Sequence, residues 1–385
     1  METLLLKSSF PIFTTNPSIP IPRSLRPSSK ASIRPPPPDF DFRRDILVES
    51  RCRISQIHPE LLDLVDSGTL VLIEKRQYGP VPPWRTEFVE PDAIWLVGTS
   101  HISESSATDV ERVLRSVVPD NVVVELCRSR AGIMYASNDD GLGVGIANQQ
   151  LQSNMFSLTG SGFFGAIGRS INLGGQTALA LRLLLAVFSS KISSRVNRPF
   201  GDEFRAARKL SEEIGAQIVL GDRPIEITLE RAWNSLKLEE KISLVFSVFR
   251  GITSQHADIS ENNLKEPRVE DDTFKLYEHL SCSYPALVQP LIHERDTYLA
   301  WSLKRSKAVN NCKRVVGVIG KGHMNGVIYS LTSDQGNLRF RDLTGKKPDH
   351  NSSNRLIMDL ARSLARDTVI GIGLWALYEL VISGL

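Results

Sequence analysis

From residue 92 onward, short continuous apolar runs alternate with longer stretches of helical periodicity. The runs are AIWLVG (93–98), NVVVEL (121–126), AQIVLG (216–221) and RVVGVIG (314–320). Runs of this length, rich in Val and Ile and bounded by Gly or Pro, have the pattern of strands buried on both faces. Between the first two, SESSATDVERVLRSVVP places Val110, Val113, Leu114 and Val117 at i, i+3, i+4 and i+7. That is the apolar stripe of an amphipathic helix, with Ser103 as its expected N-cap and Pro119 as its stop. A strand, a helix and a second strand joined this way form a parallel pair with a right-handed crossover. The predicted fold class is therefore α/β, with a mostly parallel central sheet flanked by helices.

The remaining periodicity predicts further helices. DEFRAARKLSEEIG (202–215) is amphipathic and closes on Gly215 as a C-cap; KISLVFSVFRGI (241–252) is an apolar helix. ALVQPLIHERDTYLAWSLKRS (286–306) is a helix that carries His293, Glu294, Arg295 and Asp296. TALALRLLLAVFSSKIS (177–193) is strongly apolar but contains Arg182. It is a buried helix, a cap over a site, or a contact between copies of the chain. Residues 256–272 are polar and acidic, a loop. Upstream, HPELLDLVDSGTLVLIEKR is a helical stretch and QYGPVPPW a loop, together a lead-in over 46–91.

Composition changes the picture at both ends. After Glu2 the next acidic residue is Asp39, and Lys7, Arg23, Arg26, Lys30 and Arg34 lie between, among many Ser, Thr and Pro. A segment that is basic, hydroxylated and poor in acids has the composition of an organellar transit peptide. Its Pro and Ser content favours the chloroplast, with the mitochondrion as the alternative; a plain disordered tail is the other reading. Residues 1–45 are set aside from the fold in either case, because PPPP at 35–38 starts no packed element. At the other end, TVIGIGLWALYELVISGL (368–385) carries one charge, Glu379. Its length is at the short end for a membrane span, and Glu379 is costly in lipid unless it faces a partner. The expectation is a C-terminal transmembrane helix that makes the membrane a partner. The alternative is a terminal helix docked on the domain or on another subunit. The chain thus divides into 1–45, 46–91, a main domain over 92–335, a linker and helix over 336–367, and the apolar helix 368–385.

The whole chain has 385 residues, 41% of them hydrophobic and 23% charged, which is ordinary for a globular protein. Its formal net charge of +3 is too small to argue for a nucleic-acid partner. Cys52, Cys127, Cys282 and Cys312 are widely spaced with no C-x-x-C pair, against a disulfide framework or a structural zinc site.

Each predicted strand ends in chemically capable side chains. The first leads to His101 in GTSHIS; the second to Glu125, Arg128 and Arg130; the third to Asp222 and Arg223; the fourth to Lys321 and His323 in GKGHMN. Ligands of open parallel sheets bind beyond the carboxyl ends of the strands. Two imidazoles and a carboxylate suit a divalent transition metal with an open position for water. Alternatively one His acts as a general base while Arg128 or Arg130 holds an anion. Gly98 and Gly320 would allow tight turns at the strand ends, and Gly322 a close approach to a ligand. Plainer readings stand beside these. Glu125 could be salt-bridged to Arg130 or Arg223, Asp222 could cap a helix starting at Pro224, and HERD (293–296) could be a solvated helix face. Cys127 is a small core residue. GVIGKG lacks the spacing of a nucleotide-binding glycine loop.

GTSHIS, VVVELCRSR, GDRPIEITLERAW, ERDTYLA and VVGVIGKGHMNG, in that order, with PFGDEFRAA at 199–207, resemble the TraB family (TraB/PrgY/GumN), in its plant type. The resemblance implies an erythromycin-esterase/ChaN-like fold and kinship with the Tiki metalloproteases. It implies a metal-dependent site at the matching positions His101, Glu125 and His323, holding a divalent ion such as Mn, Co or Zn. Bacterial members act in the shutdown of peptide pheromone signals, which makes a peptide the implied substrate, and many carry C-terminal membrane helices. Where bacterial relatives often have Asp, this chain has Cys127. The expected function is a metal-dependent, peptidase-like hydrolase tethered to an organelle membrane. Its catalytic set would be Glu125, Arg130, Asp222 and Arg223, the two arginines orienting carboxylates or substrate. The alternative is a non-catalytic membrane-associated regulator or adaptor on the same fold.

Overall fold

The computed structural model describes residues 33–82, 89–100, 103–135, 201–244, 284–305, 309 and 311–345. Helix α1 (Leu47–Ile57) precedes strand β1 (Leu70–Glu74). Then follow β2 (Ala93–Thr99), α2 (Glu104–Val117) and β3 (Asn121–Val124). Next come α3 (Asp202–Ile214), β4 (Gln217–Leu220) and α4 (Ile225–Ser235). The last elements are α5 (Glu294–Arg305), β5 (Arg314–Gly320), α6 (Lys321–Thr332) and α7 (Phe340–Thr344). The strands form one sheet in the order β1-β2-β5-β3-β4. β1 runs antiparallel to β2, and the other four strands are parallel.

The apolar runs alternate faces, as period-two geometry requires. Leu72, Trp95, Val97, Val122, Val124, Val316 and Val318 pack on one face against Val110, Val113, Leu114 and Val117 of α2 and Phe204, Ala207 and Leu210 of α3. Val71, Ile73, Ile94, Leu96, Val123, Val315 and Ile319 pack on the other against Leu299 and Leu303 of α5 and Val327, Ile328 and Leu331 of α6. β3 and β4 have only four residues each. Full burial, worth roughly 1.5–3 kcal/mol per aliphatic side chain, holds β3 along its length, whereas in β4 only Val219 is buried and Ile218 and Leu220 are half-buried.

Four expectations need correction. LVLIE (70–74), read as part of a helix, is the antiparallel edge strand β1. Gly68, at φ +72°, turns the chain out of the helical turn Leu62–Asp66 into it. Packing also begins before residue 46: Phe42 is buried in the core, its N–H donates to Asn325 Oδ1 at 3.0 Å, and Asn325 Nδ2 donates to Phe40 O at 3.1 Å. The helix predicted over 286–306 is broken. A π turn at Gln289–His293 precedes α5, because Pro290 has no N–H to give an α ladder. Finally, Gly98 lies inside β2 and Gly320 has the ordinary extended φ of −62°. Neither needs a left-handed turn; a Cβ on Gly98 would press Met324 Cγ at 3.1 Å, so its smallness serves packing. The capping expectations divide: Gly215 is left-handed after α3 at φ +72° and α2 ends at Val117, while Ser103 stands at the N-cap position of α2 without a capping hydrogen bond from its side chain. Among the described residues no helix is long and apolar enough to cross a membrane. Segments 177–193 and 368–385 lie outside them.

Candidate functional site

The parallel strands end together on one edge of the sheet, at Thr99, Gly320, Val124 and Leu220. β2 and β5 are neighbours with Thr99 opposite Gly320, so the two Gly-x-x-His tips leave the sheet side by side. His101 lies outside the described residues. His323 sits in the first turn of α6 and is buried. Glu125 directly follows β3, and its Oε2 accepts the Gly320 N–H at 2.7 Å. That bond fixes the carboxylate to the β5–α6 junction and leaves its Oε1 3.3 Å from His323 Nε2.

Helix α5 supplies the counter-charges. Arg295 Nη2 donates to Glu125 Oε1 at 2.7 Å and to Asp222 Oδ2 at 2.8 Å, and its Nε donates to Asp222 Oδ1 at 3.2 Å. Its Nη1 lies 3.2 Å from His323 Nε2. Arg130 also pairs with Asp222 and donates to the Glu125 main-chain oxygen at 3.2 Å. The next residues along each chain segment form a second pair. Arg223 Nη1 donates to Glu294 Oε2 at 2.5 Å, and Arg231 Nη2 donates to Glu294 Oε1 at 2.7 Å. Asp222-Arg223 and Glu294-Arg295 thus interlock reciprocally, acid of each on base of the other. None of these four residues is more than 7% exposed. Removing one member of such a buried pair strands a charge and costs about 3–5 kcal/mol.

His323 is oriented by Asp296. Its Nδ1 is 2.5 Å from Asp296 Oδ1. Burial pushes the Asp296 carboxyl up, against the lowering pull of His323 beside it. A carboxylate on one ring nitrogen aims the other, the arrangement found behind metal-binding and general-base imidazoles. Gly326 makes it sterically feasible, since a Cβ there would lie 1.9 Å from Asp296 Oδ2.

Of the residues named from sequence, Glu125, Arg130, Asp222 and His323 come together in one buried cluster, and Arg223 backs it. The plainer readings resolve individually. Glu125 is salt-bridged, but to Arg295, and Asp222 spends its carboxylate on Arg130 and Arg295 while Pro224 takes the N-cap position of α4. Glu294, Arg295 and Asp296 are buried, so HERD is no solvated face; Arg128 is exposed. Cys127 packs with Ile225 and Leu229. The central parts of Arg295 and Asp296 were not read from sequence. One signal was available: Leu299, Ala300 and Leu303 follow them at helical spacing, which puts both charges on the apolar face of α5.

Among the described residues no group of three or more His, Cys, Asp or Glu could hold a metal ion: Asp222 is turned to arginines and Asp296 to the far nitrogen of His323. The two described members of the expected triad do fit in kind. His323 Nε2 and Glu125 Oε1 converge at 3.3 Å, each with its other polar atom already anchored. One donor in the cluster is spare, the buried Nε of Arg130, which has no hydrogen-bond partner among the described residues.

Comparison with known proteins adds a lineage to this geometry. The model of the TraB/PrgY/gumN family matches residues 83–335. A TraB domain-containing protein of Bos taurus is 27% identical over 337 residues, 82% of this chain and 83% of that one. Its Homo sapiens counterpart is 26% identical over 302 residues, 73% and 76% of the two chains. An uncharacterised protein of Methanocaldococcus jannaschii is 26% identical over 240 residues, 62% of this chain and 53% of that protein.

Proposed function

The chain belongs to the TraB/PrgY/gumN family, and from that premise we propose that it is a metal-dependent, peptidase-like hydrolase whose site is the carboxyl edge of the sheet. The observation that carries the proposal is the convergence of His323 Nε2 and Glu125 Oε1, with Asp296 orienting the imidazole. His323, Glu125 and His101 would hold a divalent transition metal, Mn, Co or Zn. Bound there, such an ion would lower the pKa of a water molecule toward neutrality.

The chain's own residues do the rest. Glu125 would act through Oε1, either as a ligand or as the acceptor of a proton from an attacking water, while Oε2 stays on the Gly320 N–H. Asp296 holds the imidazole in one orientation throughout, and the spare Nε of Arg130 is a donor for a carbonyl or carboxylate of the substrate. Exclusion of water from the cluster strengthens each of these interactions. The apolar composition of 368–385 supports a membrane tether, and the basic composition of 3–38, free of acids, supports import into the chloroplast, with the mitochondrion as the alternative. A homo-oligomer formed through 177–193 is a further proposal from composition.

One observation favours a second reading, a non-catalytic regulator or adaptor. Glu125, Asp222 and His323 are each at most 5% exposed, and protein groups engage all three. A single experiment separates the two. The full chain is purified from membranes, loaded in turn with Mn2+, Co2+ or Zn2+ and given a peptide library, beside Glu125→Gln and His323→Ala. The hydrolase reading expects cleavage by the wild type and a loss of about 100-fold or more in each variant. A folded wild type that cleaves no peptide under any of the three metals belongs to the adaptor reading.

A further inference from the structure

We propose that Arg295 is a resident cation that competes with the metal for the same lone pairs, so that the metal-free site is closed by the protein's own guanidinium. The inference rests on the metal-site reading given above and deepens it. A guanidinium has donors only. Arg295 Nη1 sits 3.2 Å from His323 Nε2, and in the proposed contact that nitrogen accepts from the guanidinium instead of donating to Glu125 Oε1, 3.3 Å away. The ring hydrogen is then on Nδ1, where Asp296 Oδ1 accepts it at 2.5 Å. The Nε2 lone pair is then turned toward the point that Glu125 Oε1 also faces. These are the two atoms a divalent ion would bind, and Arg295 engages both.

Arg295 also has somewhere to go. Its Nε and Nη2 form a two-pronged contact with both oxygens of Asp222, at 3.2 and 2.8 Å. Arg130 steadies Asp222 from another direction. The side chain can give up Glu125 and His323 while keeping this fork, which is the strong, directional contact of a guanidinium with a carboxylate. Asp222 is thus the docking place of the displaced cation, which accounts for a carboxylate at the site that faces arginines rather than the ligand pair.

The test is calorimetric titration of the metal-free full chain with Mn2+ alone, for the wild type, Arg295→Gln and Arg295→Lys. Removal of a positive charge a few ångström from a divalent ion is expected to tighten binding at least about tenfold in Arg295→Gln, by Coulomb's law with protein-like screening. Arg295→Lys keeps the charge and stays within about threefold of the wild type on the same grounds. Equal affinity in the wild type and Arg295→Gln, or weaker binding in the variant, overturns the inference while leaving the metal site intact. No binding of Mn2+, or of Co2+ or Zn2+ titrated in the same way, by either protein overturns the metal reading and this inference together. A second measurement needs no variant at position 295. Nitrogen-15 spectra of imidazole-labelled, metal-free wild type, assigned against His323→Gln, are expected to show His323 with its hydrogen on Nδ1 and none on Nε2. A hydrogen on Nε2 contradicts the contact with Arg295.

Discussion

Gly326 shows how a single residue governs the site. It lies within α6, where Ala is favoured over Gly by about 1 kcal/mol on helix propensity. Its missing side chain is the space taken by the Asp296 carboxylate, 1.9 Å from where a Cβ would stand. Disrupting a buried charge contact costs about 3–5 kcal/mol, which exceeds the propensity gain. Gly326→Ala is therefore expected to lower stability by roughly 2 kcal/mol or more, read by urea denaturation. A variant as stable as the wild type would show that Asp296 moves freely and does not orient His323. At this scale the sequence was informative where a strand end announces a side chain. Glu125, Asp222 and His323 were legible because short apolar runs point to one edge. Arg295 and Asp296 were harder, because a helix reveals its inward face only relative to its start. The π turn at Gln289–His293 shifts that start by an amount that periodicity alone does not contain.

Among the elements, α5 does two jobs. Its first turn delivers Glu294, Arg295 and Asp296 to the sheet edge, and its last turn pins the segment after β1. Lys304 Nζ donates to Gly79 O at 2.9 Å and to Leu331 O at 3.3 Å and lies 4.6 Å from the centre of the Tyr78 ring. Arg305 Nη2 donates to Pro80 O at 3.0 Å, and both cations face Glu90. Burial, reinforced by Arg305, pushes Lys304 down from 10.5 to about 8, with Glu90 pulling the other way. Below about 8 the lysine is charged in both the folded and unfolded chain, and the full cost of burying that charge is present. Between about 8 and 10.5 the unfolded chain holds a proton that the folded chain has released, so this group makes stability rise with pH across that window. Lys304→Met is expected to remove that rise, seen as a flatter plot of unfolding free energy against pH. An unchanged slope would place the titration elsewhere. β1 was lost to sequence reading for a related reason. Five apolar-rich residues after a helical turn continue a helical pattern as well as they start a strand, and only the pairing with β2 decides.

For the whole molecule, the sheet order brings the two Gly-x-x-His tips onto adjacent strands although more than two hundred residues of sequence separate them. The parallel direction of β2, β3, β4 and β5 was the premise of the expected cleft, and the register shows it. The reciprocal pairing of Asp222-Arg223 with Glu294-Arg295 was not legible, since it depends on how α5 crosses the ends of β4 and β3. It joins the site to the end of the described domain. Arg223 Nη1 donates to Leu343 O at 3.1 Å and Arg231 Nη1 to Gly345 O at 3.0 Å, just ahead of the segment that leads to the apolar stretch 368–385. The central claim, that this edge of the sheet is a divalent-metal site, is tested most directly by metal stoichiometry. The purified full chain is loaded with Mn2+, Co2+ or Zn2+, desalted, and analysed by mass spectrometry beside the folded His101→Ala/His323→Ala double variant. Close to one ion per chain is expected in the wild type for at least one of the three metals, and a loss of that ion in the double variant. Equal metal in both proteins, or negligible metal in both, would contradict it.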